Sequence, residues 1–271
     1  MAPRLGIIAG AGALPRRLIE HCRAMGREVF VLALKDAAEP ETVRDVPHAW
    51  CRLGAAAAGL SLLRENRVEE LVLAGGVRRP SLAALRPDWR AARLLARIGY
   101  RALGDNGLLS AVVTELEREG FRVIGAHELM AISEMPPGPL GAFSPDAQAA
   151  ADIAQGVAVA RGLGARDIGQ AAVVQHGFVL GVEASEGTDE LIRRCASLAR
   201  PGAGGVLVKF EKPGQEARVD RPTIGPRTVV LAAEAGLRGI AVGTGSTIVL
   251  DRDEVRELAD RHGLFVVGVV L

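Results

Sequence analysis

Leu5-Gly6-Ile7-Ile8-Ala9-Gly10-Ala11-Gly12-Ala13-Leu14-Pro15 is the stretch that decides the fold. Leu5 to Ala9 is a short apolar run of the kind buried on both faces in a parallel sheet, and the residues after Gly12 switch to a helical pattern over Leu14 to Met25. Gly10 and Gly12 let backbone N–H groups approach a phosphate at the start of that helix. Pro15 suits a first helical turn, where the missing N–H would be unpaired anyway. A dinucleotide fingerprint wants Gly or Ala where Pro15 stands, so the match to GxGxxG is weak. The stretch reads either as a nucleotide-phosphate loop, with Gly10, Ala11 and Gly12 at the ligand, or as a plain strand-to-helix turn.

The same alternation continues outward. Val29 to Leu34 is a second continuous apolar run, Ala56 to Glu65 is helical, Leu71 to Ala74 is a strand, and helices are expected over Leu82 to Ile98 and Asn106 to Glu119. Strands alternating with helices predict an α/β fold with a Rossmann-like parallel sheet. The pattern stops at Met135-Pro136-Pro137-Gly138-Pro139-Leu140-Gly141, whose three prolines and two glycines suit neither a helix nor a central strand. We therefore expect a domain of residues 1–134, a linker of residues 135–145, and a second, mixed α/β domain of residues 146–271. In the second domain a helix over Asp146 to Gly162 precedes a hairpin, with Ala171 to Gln175 and Phe178 to Glu183 flanking His176-Gly177. Helices over Asp189 to Leu198, Thr228 to Ala235 and Arg252 to His262 are expected to alternate with strands at Val206 to Phe210, Ile240 to Val242, Thr247 to Leu250 and Leu264 to Val269.

Composition narrows the function. With 33 Lys and Arg against 32 Asp and Glu, and 3% aromatic residues, nothing global draws the 271-residue chain to nucleic acid, and few rings are present for base stacking. Three widely spaced cysteines, Cys22, Cys51 and Cys195, form no CxxC pair and sit beside no histidine at ligand spacing. No run reaches the ~20 apolar residues that span a bilayer, and no leader pattern opens the chain, so a cytoplasmic protein is expected.

Several polar groups are candidates for chemistry. Gly75, Arg78 and Arg79 follow a strand at its carboxyl end, where open α/β sheets hold ligands and where arginines meet anionic oxygens; solvated surface charge is the alternative. Asp105 precedes an apolar helix, which gives it a capping role by default and leaves a ligand role open. Lys209-Phe210-Glu211-Lys212-Pro213 through Gln215, followed by Arg218-Val219-Asp220-Arg221-Pro222-Thr223-Ile224-Gly225, is the densest polar stretch. Its basic groups suit a phosphate and Asp220 suits proton transfer or a metal, against the alternative of a polar loop with a salt bridge. Glu183, Glu186 and Asp189 form a second acidic group in which Thr188 or Asp189 can cap a helix. His127 and His176 read as structural imidazoles, and no GxSxG, HExxH or Walker pattern is present.

Taken together, Ile8 to Pro15, Gly125-Ala126-His127-Glu128, Asp167-Ile168-Gly169-Gln170, Glu186-Gly187-Thr188-Asp189, Arg218 to Gly225 and Ala235-Gly236-Leu237-Arg238-Gly239-Ile240 resemble the LpxI-type UDP-2,3-diacylglucosamine pyrophosphatases of Gram-negative lipid A biosynthesis. The resemblance implies magnesium-dependent hydrolysis of UDP-2,3-diacylglucosamine to UMP and 2,3-diacylglucosamine 1-phosphate (lipid X), by water attacking the α-phosphorus. It implies two α/β domains with the substrate between them, the first for UDP and the second for the lipid and sugar phosphate. The family's essential aspartate carries over to Asp220, as base or as magnesium ligand, with Asp105 near the metal. Gly10, Ala11, Gly12, Gly75, Arg79, Gln170, Thr188, Lys209, Gln215, Arg218 and Thr223 are the implied substrate contacts. Ala11 replaces a glycine and Asn106 an aspartate common in the family. A homodimer with weak peripheral contact to the inner membrane is also implied. Two other readings stand beside this one. The first is a nicotinamide-dependent oxidoreductase using Asp36 at a ribose, and the second is a non-catalytic nucleotide-sugar or lipid-binding protein.

Overall fold

The computed structural model describes residues 2–77, 85–98, 105–130, 134–214, 216, 218, 219 and 221–270, without the side chains of Ile98, Asp105 and Asn106. It divides into two compact units, Met1–Ala131 with Glu216–Asp220, and Ile132–Gln215 with Arg221–Leu271.

In the first unit, β1 (Leu5–Ala9), β2 (Val29–Leu34), β3 (His48–Cys51), β4 (Glu70–Ala74) and β5 (Arg122–Val123) form a parallel sheet in the order β3-β2-β1-β4-β5. The apolar runs are continuous because the central strands are covered on both faces: Leu5 and Ile7 are fully buried, with Ile7 opposite Val31 on one side and Val72 on the other. Among the described residues the unit also holds helices α1 (Leu14–Ala24), α2 (Pro40–Val43), α3 (Ala56–Glu65), α4 (Trp89–Ile98), α5 (Asp105–Arg118) and α6 (Ala126–Leu129). Leu60 and Leu63 of α3, Val113 and Leu116 of α5 and Phe121 close one core against Phe30, Leu32 and Leu71.

Two elements differ from expectation. The helix expected over Leu82 to Ile98 is interrupted: Leu85 is helical, Arg86 has φ 42°, Pro87 lacks an N–H, and Asp88 Oδ1 caps the helix that starts at Trp89 by accepting from Arg90 N at 3.1 Å and Ala91 N at 3.0 Å. Residues 82–84 lie outside the described residues. The edge strand β3 is short and half exposed, so its sequence carries neither an apolar run nor an alternation.

In the second unit, β6 (Gly138–Pro139), β7 (Ala171–Gln175), β8 (Phe178–Val182), β9 (Val206–Lys209), β11 (Gly239–Gly243) and β13 (Phe265–Val269) form a mixed sheet in the order β6-β13-β11-β9-β7-β8. Strands β9, β11 and β13 are parallel, while β6, β7 and β8 join antiparallel. A small parallel pair, β10 (Thr223–Ile224) and β12 (Ile248–Val249), lies apart from this sheet. The Pro/Gly segment expected as linker thus contributes an edge strand, a place in a sheet where proline is tolerated. The helices are α7 (Ala147–Gly164), α8 (Thr188–Ala196), α9 (Pro226–Glu234) and α10 (Arg252–His262).

Alternate residues of the sheet face two cores. Leu207, Ile240, Val242 and Val266 pack with Leu191, Ile192, Val229, Ala232, Val255 and Ala259 of α8, α9 and α10. Val206, Val208, Ala241 and Phe265 pack with Ala149 and Ile153 of α7. The hairpin forms where His176-Gly177 predicts it, with φ 52° and 77° at the two positions, as the twist of a two-residue turn demands. Buried Asp152 on α7 fixes that turn by accepting from His176 N at 2.9 Å and Gly177 N at 2.7 Å. His176 is therefore held by its backbone in a structural turn.

Candidate functional site

In the first unit the strand order reverses on either side of β1, so the carboxyl ends of β1 and β4 border the crevice where open α/β sheets receive ligands. The two loops leaving those strands are joined by backbone. Gly10 N donates to Ala74 O at 2.8 Å, Ala11 N to Gly76 O at 2.8 Å, and Gly76 N to Ala11 O at 3.0 Å. Glycine is required here by close approach. A Cβ on Gly10 would stand 2.5 Å from Gly76 O, and one on Gly75, which has φ +89°, would stand 2.5 Å from Ala11 O.

The N–H groups of Gly10 and Ala11 are thus already paired, so of this loop and helix start it is Gly12 and the first turn of α1 that could still receive an anion. No side chain caps that helix. The positive φ of the loop, +92°, falls on Gly12 with open space around its Cα, so alanine at position 11 is accommodated. Arg78 and Arg79 lie outside the described residues.

In the second unit the carboxyl edge is built from side chains. Lys209, the last residue of β9, is 7% exposed. Its Nζ donates to Thr188 Oγ1 at 2.9 Å and to Thr223 O at 3.3 Å. Thr188, the first residue of α8, donates from its hydroxyl to Glu183 Oε1 at 2.5 Å. Glu183 Oε2 in turn accepts from Gln170 N at 3.0 Å. Gln170, Thr188, Lys209 and Thr223, expected separately as substrate contacts, meet in this one network.

Three buried polar atoms on the segments entering this edge have no hydrogen-bond partner among the described residues: Gln170 Oε1, Thr244 Oγ1 and Thr247 Oγ1. Gln170 precedes β7 and accepts from Phe210 N at 2.9 Å, while Thr244 and Thr247 lie in the turn between β11 and β12. Buried polar atoms of this kind are satisfied by water or by a ligand. The motif Asp167-Ile168-Gly169-Gln170 is shaped by the same network, since a Cβ on Gly169 would stand 2.0 Å from Glu183 O.

Arg218 is engaged elsewhere. Its guanidinium meets Glu216 at 2.9 and 3.0 Å through Nε and Nη2, and Glu117 at 2.5 Å through Nη1. Val219 beside it packs against the first unit's core, so Glu216–Asp220 is fastened to that unit. The hydrogen-bonded guanidinium of Arg218 holds the Glu216 carboxyl below the usual carboxylate range, and the two carboxylates push the Arg218 guanidinium up. Asp220 and Gln215 lie outside the described residues, as does the side chain of Asp105.

Several other candidate residues have partners within the fold. Glu128 accepts from Gly125 N at 2.7 Å and so caps α6, which is what the Gly-Ala-His-Glu motif encodes. Glu186 pairs with Arg194 at 2.9 Å, and Asp189 with Arg227 at 2.9 Å. Asp36 occupies a turn after β2 with φ 67°. Among the described residues no three His, Cys, Asp or Glu side chains converge as a metal-ligand set. The three cysteines are free and buried, and burial pushes each thiol pKa up.

Models of the LpxI N-terminal domain and the LpxI C-terminal domain match residues 4–132 and 136–267. The chain belongs to the LpxI family. It is 45% identical over 273 residues to the UDP-2,3-diacylglucosamine pyrophosphatase LpxI of Caulobacter vibrioides, covering 98% of this chain and 97% of that protein. Among solved structures it is similar to CobK precorrin-6A reductase, with 11% identity, a TM-score of 0.33, and coverage of 99% of this chain and 87% of that one. It is also similar to the Thermus thermophilus UDP-glucose 4-epimerase in complex with NAD, with 14% identity, a TM-score of 0.32, and coverage of 99% and 85%. At such TM-scores neither likeness bears on fold or function. The two LpxI domain models meet near the division between the compact units at Ala131 and Ile132.

Glu183 is the residue of this network that sequence reasoning did not connect to the others. It stands out in the sequence only as one of three nearby acids, and its link to Gln170 and Thr188 arises from the antiparallel pairing of β7 with β8.

Proposed function

We propose that the protein hydrolyses UDP-2,3-diacylglucosamine to UMP and 2,3-diacylglucosamine 1-phosphate in lipid A biosynthesis. The observation that carries this reading is the 45% identity, over 98% of the chain, to a relative named for that activity. Water attacks the α-phosphorus, the bond from that phosphorus to the bridging oxygen breaks, and the sugar 1-phosphate leaves with the bridging oxygen. Gly12 and the first turn of α1 receive the nucleotide side of the diphosphate through backbone N–H groups and the positive end of the helix.

The leaving phosphate gains charge as the bond breaks, and the ammonium of Lys209 is the group suited to stabilise it. That ammonium is fixed by Thr188 Oγ1 and Thr223 O, and no ion pair with a described residue neutralises it. Gln170, with an unpartnered buried Oε1, lies against the same network and is suited to a donor on the sugar. Asp220 supplies a carboxylate to the attacking water or to magnesium, and Asp105 a second carboxylate near the metal. Magnesium commonly takes one or two carboxylates and completes its shell with water and substrate phosphates, so these two carboxylates would suffice in number to hold it. When bound, it neutralises diphosphate charge and polarises the α-phosphoryl group.

No helix among the described residues is long and apolar enough to cross a membrane. We read the protein as cytoplasmic and homodimeric, meeting its lipid substrate by weak peripheral contact with the inner membrane. Light scattering that gives only a monomer at micromolar concentrations would remove the dimer, and failure to float with anionic vesicles would remove the membrane contact. The reaction itself is tested by UMP release with magnesium, for the wild type beside Asp220→Ala. Turnover by the wild type and its loss in the variant are expected. Near-normal release by Asp220→Ala overturns that residue's role, and silence of the wild type overturns the reaction.

A further inference from the structure

Glu183 is a buried carboxylate, 6% exposed, that forms no ion pair among the described residues. Its two oxygens are divided between Gln170 N and the Thr188 hydroxyl, at 3.0 and 2.5 Å. The direction of the next bond is forced by chemistry. An ammonium only donates, so the 2.9 Å contact from Lys209 Nζ uses a lone pair of Thr188 Oγ1, and the hydroxyl proton turns to Glu183. A carboxylate, a hydroxyl and an ammonium therefore stand in series. Thr223 O takes a second ammonium proton at 3.3 Å, and the third has no partner among the described residues.

We propose that Glu183 is a positioning residue that acts through Thr188 to fix the Lys209 ammonium and aim its free N–H at the phosphate on the sugar side of the substrate. This rests on the reading of Lys209 given under Proposed function. A carboxylate placed directly on Lys209 would compete with the phosphate for the ammonium. With a hydroxyl between them, Glu183 polarises the acceptor that holds Lys209 while leaving its charge available to an anion. The rival account is that Glu183 only ties the start of β7 to the start of α8. The two accounts differ in what Thr188 must do.

The experiment measures UMP release and calorimetric binding of 2,3-diacylglucosamine 1-phosphate and of UMP, for wild type, Glu183→Gln, Thr188→Val, Thr188→Ser and the Glu183→Gln/Thr188→Val pair. Each of Glu183→Gln and Thr188→Val is expected to weaken the lipid phosphate and lower kcat/KM about tenfold, with UMP binding unchanged and the double variant no worse than either single one. Thr188→Ser, which keeps the hydroxyl, is expected to stay near wild type. Equal and additive losses in the double variant overturn the proposal, as does a Thr188→Val protein that binds the lipid phosphate normally. Should Glu183→Gln fail to fold, the contrast between Thr188→Val and Thr188→Ser decides alone. A wild type that neither turns over nor binds the lipid phosphate defeats the proposal together with the function. A wild type that binds and turns over beside unaffected variants defeats the proposal alone.

Discussion

The carboxyl edges of the two sheets are built from opposite materials. In the first unit, Gly10, Gly75 and Gly76 bring two backbones into hydrogen-bond contact, and the group we propose for the ligand is the main chain of Gly12 and α1. In the second unit, the side chains of Lys209, Thr188 and Glu183 meet in series with the backbone N–H of Gln170, and the group we propose for the ligand is a buried ammonium. The difference has a physical basis. Main-chain N–H groups carry partial charges in fixed directions, which suit a phosphate held in place, whereas a full charge acts most strongly where charge grows during a reaction. Substitutions should therefore act on geometry in the first edge and on charge in the second.

The largest effect that separates the two edges is expected from Lys209→Met, which removes the charge and keeps most of the apolar stem. It should lower kcat/KM by about 100-fold or more, and a steady-state assay of UMP release reads it directly. A loss below about tenfold would mean that charge is not what the second edge supplies.

Next in size is Gly75→Ala. At φ +89°, with its Cβ 2.5 Å from Ala11 O, the variant should lose about 2–3 kcal/mol of stability by denaturant unfolding and weaken UMP binding. Wild-type stability in this variant would show that the two loops are free to separate.

A smaller effect concerns the segment that carries Asp220. Arg218 lowers the folded-state pKa of Glu216, so this pair stabilises the protein above the unfolded carboxyl value of about 4.3, and the contribution is lost as pH falls through the folded value. Thermal unfolding from pH 7 to pH 3 should show the wild type losing about 1 kcal/mol more than Glu216→Gln over that acid window. Parallel curves would count against the clamp. The smallest expected effect is at the cysteines. Burial raises all three thiol pKa values, so alkylation at neutral pH should be slow until the protein unfolds. A fast-reacting thiol in the native protein would show an opening at its site.

Much of this was legible in the residues because local rules and the fold agree. The apolar runs of β1, β2, β9 and β11 are strands buried on both faces, and His176-Gly177 is a hairpin turn. The boundaries that failed are those where one residue overrides a pattern. Pro87 with Asp88 cuts a helix whose apolar spacing continues through it, and Gly138-Pro139 joins an edge because β13 offers a partner that composition does not reveal.

The site divides in the same way. Gln170, Thr188 and Thr223 were recognisable in family motifs and Lys209 in the densest polar stretch, and the fold brings them together. Arg218 reads as a phosphate ligand by charge, yet Glu117, 101 residues away in sequence, and neighbouring Glu216 occupy its guanidinium. Glu183 carries no motif because its function lies in pairings across the sheet. Long-range contacts set by strand order are what a residue-by-residue reading lacks.

The measurement that tests the contrast most directly is a pair of calorimetric titrations, UMP and 2,3-diacylglucosamine 1-phosphate, on wild type, Lys209→Met and Gly75→Ala. The expected result is a crossed pattern. Lys209→Met loses at least about tenfold in affinity for the lipid phosphate and little for UMP, while Gly75→Ala loses affinity for UMP and keeps the lipid phosphate. Parallel loss of both ligands in both variants would contradict the assignment of a backbone edge to the nucleotide and a charged edge to the sugar phosphate.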